Sequence, residues 1–194
     1  MDNGNLKLSP LYISGFVDGE GCFGFQFRKD IRHERPGSPA YYSWKAQFMI
    51  TARKDEKDLF ERIKTFFGCG SIYKQLDHEI HYCVANIDDL KNIISPFFKK
   101  YQLQGKKQHD FALWAEAVDI LYKNKKQKVN IKKGIKGFTK NNLNQKDSHR
   151  LFKIHSKMQK YKSNRPQGFK HITIARKLLL IPRRKKPKKL VSKK

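Results

Sequence analysis

Two carboxylates at the end of a short apolar segment are the residues of this chain best placed to do chemistry. Asp18 and Glu20 close the sequence LYISGFVDGEG, which occupies residues 11–21. Three apolar residues of that segment have the i, i+3, i+4 spacing of a buried helix face: Ile13, Phe16 and Val17. A helix C-terminus already carries partial negative charge, so two more anions are unfavourable there unless a cation joins them. Carboxylate and carbonyl oxygens would suit Mg²⁺, Mn²⁺ or Ca²⁺. From spacing alone, an exposed turn around Gly19 explains the two acids at least as well.

Small residues on the same predicted helix indicate a close contact with another helix. Gly15 and Gly19 lie four residues apart on one face, with Ser14 beside them. If two copies of the helix packed through these glycines, their acidic ends would meet. One motif would then build a symmetric metal site.

The segment as a whole resembles the motif of the LAGLIDADG homing endonucleases, position by position, and the chain contains one copy. In that family one copy implies a homodimer, whereas two copies in a longer chain imply a pseudosymmetric monomer. The resemblance implies that Glu20, with Gly19, binds the metal and that Asp18 serves helix geometry. It also implies a dimer interface formed by Ser14, Gly15, Asp18 and Gly19.

Charge divides the chain into two parts. Residues 1–122 hold 17 Lys and Arg against 16 Asp and Glu, whereas residues 123–194 hold 26 against one, within a net charge of +26. We therefore expect an endonuclease core over 1–122 and a strongly basic, partly helical extension over 123–194, disordered in residues 183–194. Such a polycation binds phosphate, in nucleic acid or at an anionic membrane surface.

Composition argues against several other classes of protein. No stretch approaches the roughly 18 apolar residues of a membrane span, and no signal-peptide layout is present. Cys22, Cys69 and Cys83 are three and include no C-x-x-C pair, as expected of reduced thiols. We expect an intracellular protein of a bacterial cytoplasm or an organelle, neither secreted nor membrane-bound.

Periodicity predicts an α+β domain. Alternating residues predict strands over 22–30, 43–50, 71–75 and 80–84. Helical spacing predicts helices over 10–19, 55–67, 88–98 and 108–122, with a later helix capped by Asp147. The resemblance implies this same αββαββα order, with a saddle-shaped antiparallel sheet.

One face of the predicted sheet is polar. By resemblance that face lies in the DNA major groove, where Arg suits guanine and Gln suits adenine. Alternation alone is satisfied by an ordinary solvated face. The candidate base-reading residues are Gln26, Arg28, Lys45, Gln47, Tyr73, Gln75 and His81.

A basic residue near the scissile phosphate would stabilise developing charge. The resemblance places it at Lys106 or Lys107, because the alignment slips by one residue there, and we choose Lys106. The chain departs from the family pattern at Ala52, where relatives often have Gln, and at Glu56, where they often have a basic residue. Arg53 or Lys54 would have to substitute.

Three functions compete. The first is a homodimeric endonuclease that cuts both strands of a long, roughly palindromic double-stranded DNA with Mg²⁺, with Mn²⁺ able to substitute and Ca²⁺ supporting binding without cleavage. The second is an intron-encoded maturase that binds structured RNA and cuts little or not at all. The third, a basic structural protein, explains the extension but not the motif. Retention of Glu20 and the Gln and Arg of the polar face favour the endonuclease.

Overall fold

The computed structural model describes residues 7–30, 41–76, 78–125 and 143–160. The first half contains α1 (Pro10–Glu20), β1 (Gly21–Asp30), β2 (Tyr41–Arg53), α2 (Lys57–Phe67), β3 (Ser71–Leu76) and β4 (Glu79–Val84). The second half contains α3 (Ile87–Asp89), α4 (Ser95–Lys100), α5 (Lys107–Lys123) and α6 (Gln145–Lys160). A 3-10 turn (Lys54–Glu56) leads into α2, and a π turn (Leu90–Ile94) joins α3 to α4. The predicted α+β order with a following helix is confirmed, while the predicted disorder over 183–194 lies outside the described residues.

The four strands form one antiparallel sheet in the order β1-β2-β4-β3. Its register sets Phe23 opposite Phe48 and Ile50 opposite Tyr82, so large apolar side chains share one face. All four of these residues are buried, and the intervening residues point to the other face. The predicted division into an apolar and a polar face is therefore confirmed.

Aromatic rings fill the space between the apolar face and the helices. The ring of Phe23 lies 5.3 Å from Phe98 and 5.2 Å from both Phe111 and Trp114, measured between centroids. Aromatic pairs at such spacing add to the stabilisation from buried area. This packing fixes α5, and with it the residue that begins α5, against the sheet.

The two ends of α1 are set by different means. Pro10 occupies the first helical turn after Ser9, and the Ser9 side chain makes no capping hydrogen bond. At the other end, Gly21 has an ordinary φ of −81° and an extended backbone, so the chain passes from α1 directly into β1. A Cβ on Gly21 would lie 2.5 Å from Val17 Cγ1. Gly21 is needed for close packing of β1 against α1.

Helix α6 belongs to the same hydrophobic core as the sheet. Leu151, Ile154 and Met158 are buried in it, and the Phe152 ring lies 5.1 Å from the Trp44 ring on β2. Arg150 Nη2 donates to Glu116 Oε2 of α5 at 2.6 Å. The core thus continues past residue 122, where we predicted its limit.

The start of α6 corrects the predicted cap. Asn144, one residue before the helix, accepts a hydrogen bond from the Asp147 backbone N–H at 2.7 Å, and its own amide donates to the Asp147 carboxylate at 3.0 Å. Asn144 is therefore the capping residue, and Asp147 supports it from inside the first turn.

Among the described helices none is long and apolar enough to cross a membrane.

Candidate active site and nucleic-acid interface

A lysine ammonium group occupies the C-terminal end of α1. Lys107 Nζ donates to the backbone carbonyl of Asp18 at 2.8 Å and to that of Val17 at 3.3 Å, and it also bonds the carbonyl of Gly19. The carbonyls of Asp18 and Gly19 belong to the last turn, where carbonyl groups lack helical partners, whereas the Val17 carbonyl also accepts the backbone N–H of Gly21. The arrangement places a positive charge where the helix dipole is negative.

Lys107, not the favoured Lys106, is the lysine that reaches the acidic end. Lys106 precedes α5 and is exposed, whereas Lys107 is half-buried beneath α1. Burial lowers the pKa of the Lys107 ammonium from its ordinary value, and the carboxylates of Glu20 and Asp18 oppose that shift. The alignment with the family pattern slips by one residue here, so it did not decide between the two lysines.

Asp18 and Glu20 have different surroundings. Asp18 Oδ2 accepts hydrogen bonds from the backbone N–H groups of Gln104 at 2.6 Å and Gly105 at 3.1 Å, which ties α1 to the segment before α5. Glu20 is exposed, and its charge acts on Lys107. Of the two acids, Glu20 is the one whose carboxylate is accessible to a ligand.

The end of α1 fits a hard divalent cation. Its donors are the Glu20 carboxylate and the terminal carbonyl oxygens, which are the hard oxygen ligands that such ions prefer. The carbonyls of Asp18 and Gly19 already bind one cation, the Lys107 ammonium group. Within the described residues, no three His, Cys, Asp or Glu side chains form a group that could hold a metal. A complete set of metal ligands would need donors beyond those that the described residues of one chain provide.

Among the described residues, nothing packs against one side of α1. Leu11 is 71% exposed and Tyr12 49% exposed, which is unusual for large apolar side chains. A Cβ on Gly15 or on Gly19 would meet nothing within 4 Å. This exposed α1 face, defined by Leu11, Tyr12, Gly15 and Gly19, is open to a second helix.

Two residues predicted for the helix interface contact their own chain instead. Ser14 is buried, and its hydroxyl donates to the carbonyl of Tyr101 at 2.9 Å. Asp18 holds the segment before α5 through the Gln104 and Gly105 N–H groups. Of the four residues predicted for the interface, Gly15 and Gly19 are exposed, and they lie beside the exposed side chains of Leu11 and Tyr12.

The predicted base readers are distributed over the polar face of the sheet. Arg28 and Lys45 are exposed, and Gln26 and Gln47 are half-buried. Gln47 lies across Gly24 of β1, because a Cβ on Gly24 would come within 2.8 Å of Gln47 Cγ. Gln75 is in β3, but its side chain lies outside those the structure describes.

Tyr73 and His81 form a stacked pair on this face. Their rings lie 5.3 Å apart with planes 10° from parallel. Tyr73 is 43% exposed, whereas His81 is only 4% exposed and its Nδ1 shares a hydrogen bond with Thr51 Oγ1 at 3.0 Å. Tyr73 is thus available to a ligand, and His81 supports it from beneath.

Some residues of the polar face were absent from the predicted set. Met49, Thr51 and Cys83 all point outward beside Tyr73, as the β2–β4 register requires. The alternation of side chains in β2 and β4 indicates that these residues face outward, but the predicted base readers were chosen mainly among charged and amide side chains.

The two departures from the family pattern lie at the end of β2. Ala52 is half-buried opposite Ile80, and Glu56 is exposed. Arg53 is paired with Asp55 at 2.8 Å. Arg53 and Lys54 line a cleft with Asp55 and His78.

The family follows from comparison with known proteins. The LAGLIDADG endonuclease family model matches residues 13–118, which is more than half of the chain. The chain belongs to the LAGLIDADG endonuclease family. The matched residues begin in α1 and end within α5, so they include the α1 end, the sheet and Lys107.

Two curated relatives are intron products. "Probable intron-encoded endonuclease 3" of Neurospora crassa is 34% identical over 118 residues, which cover 60% of this chain and 21% of that protein. "Uncharacterized 50.9 kDa protein in ND4 intron 1" of Podospora anserina is 38% identical over 120 residues, which cover 61% of this chain and 25% of that protein. This chain therefore spans about a fifth to a quarter of these relatives' length.

Solved structures share the fold. Meganuclease I-SmaMI bound to uncleavable DNA is 33% identical with a TM-score of 0.53, covering 60% of this chain and 38% of that chain. I-SmaMI bound to an uncleaved DNA target with calcium ions is 24% identical with a TM-score of 0.63, and the match covers 86% of this chain and 49% of that chain. Homing endonuclease I-TnaI is 22% identical with a TM-score of 0.59, and the match covers 89% of this chain and 97% of that chain. The fold thus occurs both as part of a longer chain and as nearly a whole chain.

Proposed function

We propose that this chain is a site-specific homing endonuclease that cuts both strands of a long, roughly palindromic double-stranded DNA as a homodimer. The observation that carries the proposal is the end of α1, where exposed Glu20 lies close to the Lys107 ammonium and the open Gly15 and Gly19 face. Family membership supports it. I-SmaMI, 33% identical, was solved bound to DNA, which supports DNA as the substrate.

Glu20 and the Gly19 carbonyl would hold the divalent cation, Mg²⁺ or its substitute Mn²⁺. When bound, such an ion supplies a nucleophilic water and stabilises the leaving 3′ oxygen of a phosphodiester. The structure of I-SmaMI with calcium ions and an uncleaved target supports our expectation that Ca²⁺ permits binding without cleavage.

Lys107 is the basic residue of the proposed site. Its ammonium is held close to Glu20 by the carbonyls of α1, so its position is set before DNA arrives. A fixed positive charge next to a phosphate stabilises the charge that develops in the transition state. We assign this role to Lys107 rather than to Lys106.

A second copy of the chain would supply the other half of the site. Leu11, Tyr12, Gly15 and Gly19 form an exposed apolar and glycine surface, which is costly to leave in water and permits close helix contact. Pairing through this face would bring two Glu20 residues together. Each subunit would then cut one strand.

The polar face of the sheet would enter the major groove. Arg28, Lys45, Gln26 and Gln47 offer donors and acceptors suited to base edges. Tyr73 adds an exposed ring, and His81 acts through it. Gln75 remains a proposed reader on sequence grounds.

A cleavage selection tests the proposal. Purified full-length protein is incubated with a randomised duplex library in Mg²⁺ or in Ca²⁺, and the ends produced are sequenced. We expect discrete cuts in Mg²⁺ at a two-fold-related site, and binding without cuts in Ca²⁺. No cuts in either metal, together with tight binding to a folded intron RNA, would replace the endonuclease proposal with the maturase.

A matched pair of variants tests the metal-ligand role. Glu20→Gln should abolish cleavage while leaving the dissociation constant for DNA nearly unchanged. Glu61→Gln removes the same charge from an exposed acid on α2 and should cleave at the parent rate. Cleavage by Glu20→Gln at the parent rate would exclude Glu20 as the ligand.

A further inference from the structure

Three sulfur-containing side chains lie side by side on the polar face of the sheet. The register sets Cys22 of β1 opposite Met49 of β2, and Met49 opposite Cys83 of β4. Because neighbouring strands are about 4.8 Å apart, the three form a row ~10 Å wide. All three are half-buried and none is a charged or amide side chain. The row is therefore an apolar strip within a face that is otherwise largely polar.

Tyr73 extends this strip and is held in place. Its hydroxyl donates to Met49 Sδ at 3.7 Å, and its ring stacks on His81 at 5.3 Å. His81 is fixed in turn by its hydrogen bond to Thr51 at 3.0 Å. Burial raises the pKa of both the Tyr73 phenol and the Cys83 thiol, so both groups are neutral at ordinary pH. Tyr73 and Cys83 therefore belong to an uncharged surface in which the Tyr73 ring is held in position.

Covalent and metal chemistry do not explain the row. Cys22 and Cys83 flank the strand that carries Met49, and two strand spacings exceed the roughly 7 Å limit between Cα atoms of a disulfide. Among the described residues no group of His, Cys, Asp and Glu is suited to a metal. Contact with an apolar feature of the ligand remains.

Thymine provides that feature in a DNA major groove. Among the groups that base pairs present there, the C5 methyl of thymine is the apolar one, and the others are hydrogen-bond donors and acceptors. Met49 is flexible and polarisable, which suits contact with a small methyl group. The row starts two residues after Glu20, so it lies next to the proposed cleavage site.

We propose that Met49, Tyr73 and Cys83 form a thymine-reading patch that determines part of the target sequence. This inference rests on the proposed function, since the polar face must lie in the groove for the patch to meet a base. It assigns specificity to side chains that carry no charge. His81 is a positioning residue that keeps the Tyr73 ring in the patch.

Deoxyuridine substitution measures the contact directly, because uracil differs from thymine in the absence of the C5 methyl. The full-length protein and the target from the cleavage selection are used, and each thymine is replaced singly. Dissociation constants are measured in Ca²⁺. At a thymine that faces the patch, we expect deoxyuridine to weaken binding about fourfold, the value of one buried methyl group.

Two pairs of variants connect that weakening to the patch. Met49→Gln has similar volume but is polar, and it should abolish the discrimination between thymine and deoxyuridine at the affected position. Met49→Leu stays apolar and should preserve it. Tyr73→Ser removes the ring at a position that is 43% exposed and should reduce the discrimination, whereas Tyr73→Phe should keep it.

The outcomes separate this inference from the endonuclease proposal. A discrete target at which deoxyuridine never weakens binding would overturn the patch and leave the endonuclease intact. Discrimination that persists in both Met49→Gln and Tyr73→Ser would do the same. Failure to find any discrete target would overturn the proposed function and this inference with it.

Discussion

At the scale of single residues, the end of α1 combines one cation, Lys107, with two anions, Asp18 and Glu20, whose surroundings differ. Asp18 is engaged with backbone N–H groups of the segment before α5, and Glu20 is exposed. Lys107 bonds the terminal carbonyls that a divalent ion would also attract. The sequence positions of the two acids are nearly equivalent, but their neighbours give them different roles.

The lowered pKa of Lys107 predicts the alkaline limit of cleavage. If the charged ammonium assists the reaction, activity is full below the lowered pKa and falls as pH rises through it. Because burial lowers that pKa, the fall should begin below the value of ~10.4 for an exposed lysine. The measurement is the pH dependence of the single-turnover cleavage rate.

Lys107→Arg and Lys106→Arg provide the matched comparison for that profile. Arginine stays charged over this range, so Lys107→Arg should move the alkaline limit to higher pH even where its rate is lower. Lys106→Arg should leave the limit unchanged. A shift produced by Lys106→Arg instead would return the role to Lys106.

At the scale of secondary structure, α6 completes the core. Its apolar side covers Trp44 on the β1–β2 hairpin, and its Arg150 pairs with Glu116 of α5. The ion pair lies at the surface and contributes ~1 kcal/mol or less. Burial of Leu151, Ile154 and Met158 therefore provides most of the stabilisation.

Leu151→Ala should lower the free energy of unfolding by about 2–5 kcal/mol, because it empties a fully buried site. Lys153→Ala, two residues away on the exposed side, should change it by no more than ~0.5 kcal/mol. Urea denaturation followed by circular dichroism measures both. Equal stabilities would mean that α6 is not part of the cooperative unit.

At the scale of the whole molecule, the exposed α1 face decides whether two units assemble. Gly15→Leu should be tolerated within one chain, because nothing lies within 4 Å of the added Cβ. The larger side chain should separate paired helices and yield a folded monomer. Sedimentation velocity measures the assembly, and thermal unfolding confirms the fold.

Glu61→Leu, which adds the same side chain to the exposed surface of α2, is the control for a general effect of an apolar substitution. It should remain dimeric. A dimeric Gly15→Leu would contradict the interface. A parent protein that is itself monomeric would mean that the α1 face does not pair with a second copy of this chain.

The basic extension should contribute to affinity rather than to target choice. Deleting residues 161–194 leaves α6 intact and removes 13 Lys and Arg with no Asp or Glu. The slope of log affinity against log salt should become less negative, by about 0.9 for each phosphate that the extension neutralises in the parent protein. Filter binding over a range of salt concentrations gives the slope, and an unchanged slope would mean that residues 161–194 do not bind DNA.

Much of the fold could be predicted because local patterns agree with it. Alternation defined both faces of β1 and β2, and α2 ends at residue 67 as helical spacing predicts, with Gly68 in the left-handed conformation at a φ of 65°. The role of Gly21 could not be predicted, since its close approach to Val17 depends on how β1 leaves α1. The packing of α6 onto the core could not be predicted, because helical spacing indicates an apolar face on that helix but not the surface that the face covers.

The sequence by itself determined the family, the element order, the acidic end of α1 and the polar face of the sheet, because each is a pattern of neighbours along the chain. Only the tertiary structure decided that Lys107 reaches that end, that His81 lies beneath Tyr73, and that Met49 stands between Cys22 and Cys83. These contacts join residues distant in sequence. Their distances depend on how the helices and strands pack, which no local spacing specifies.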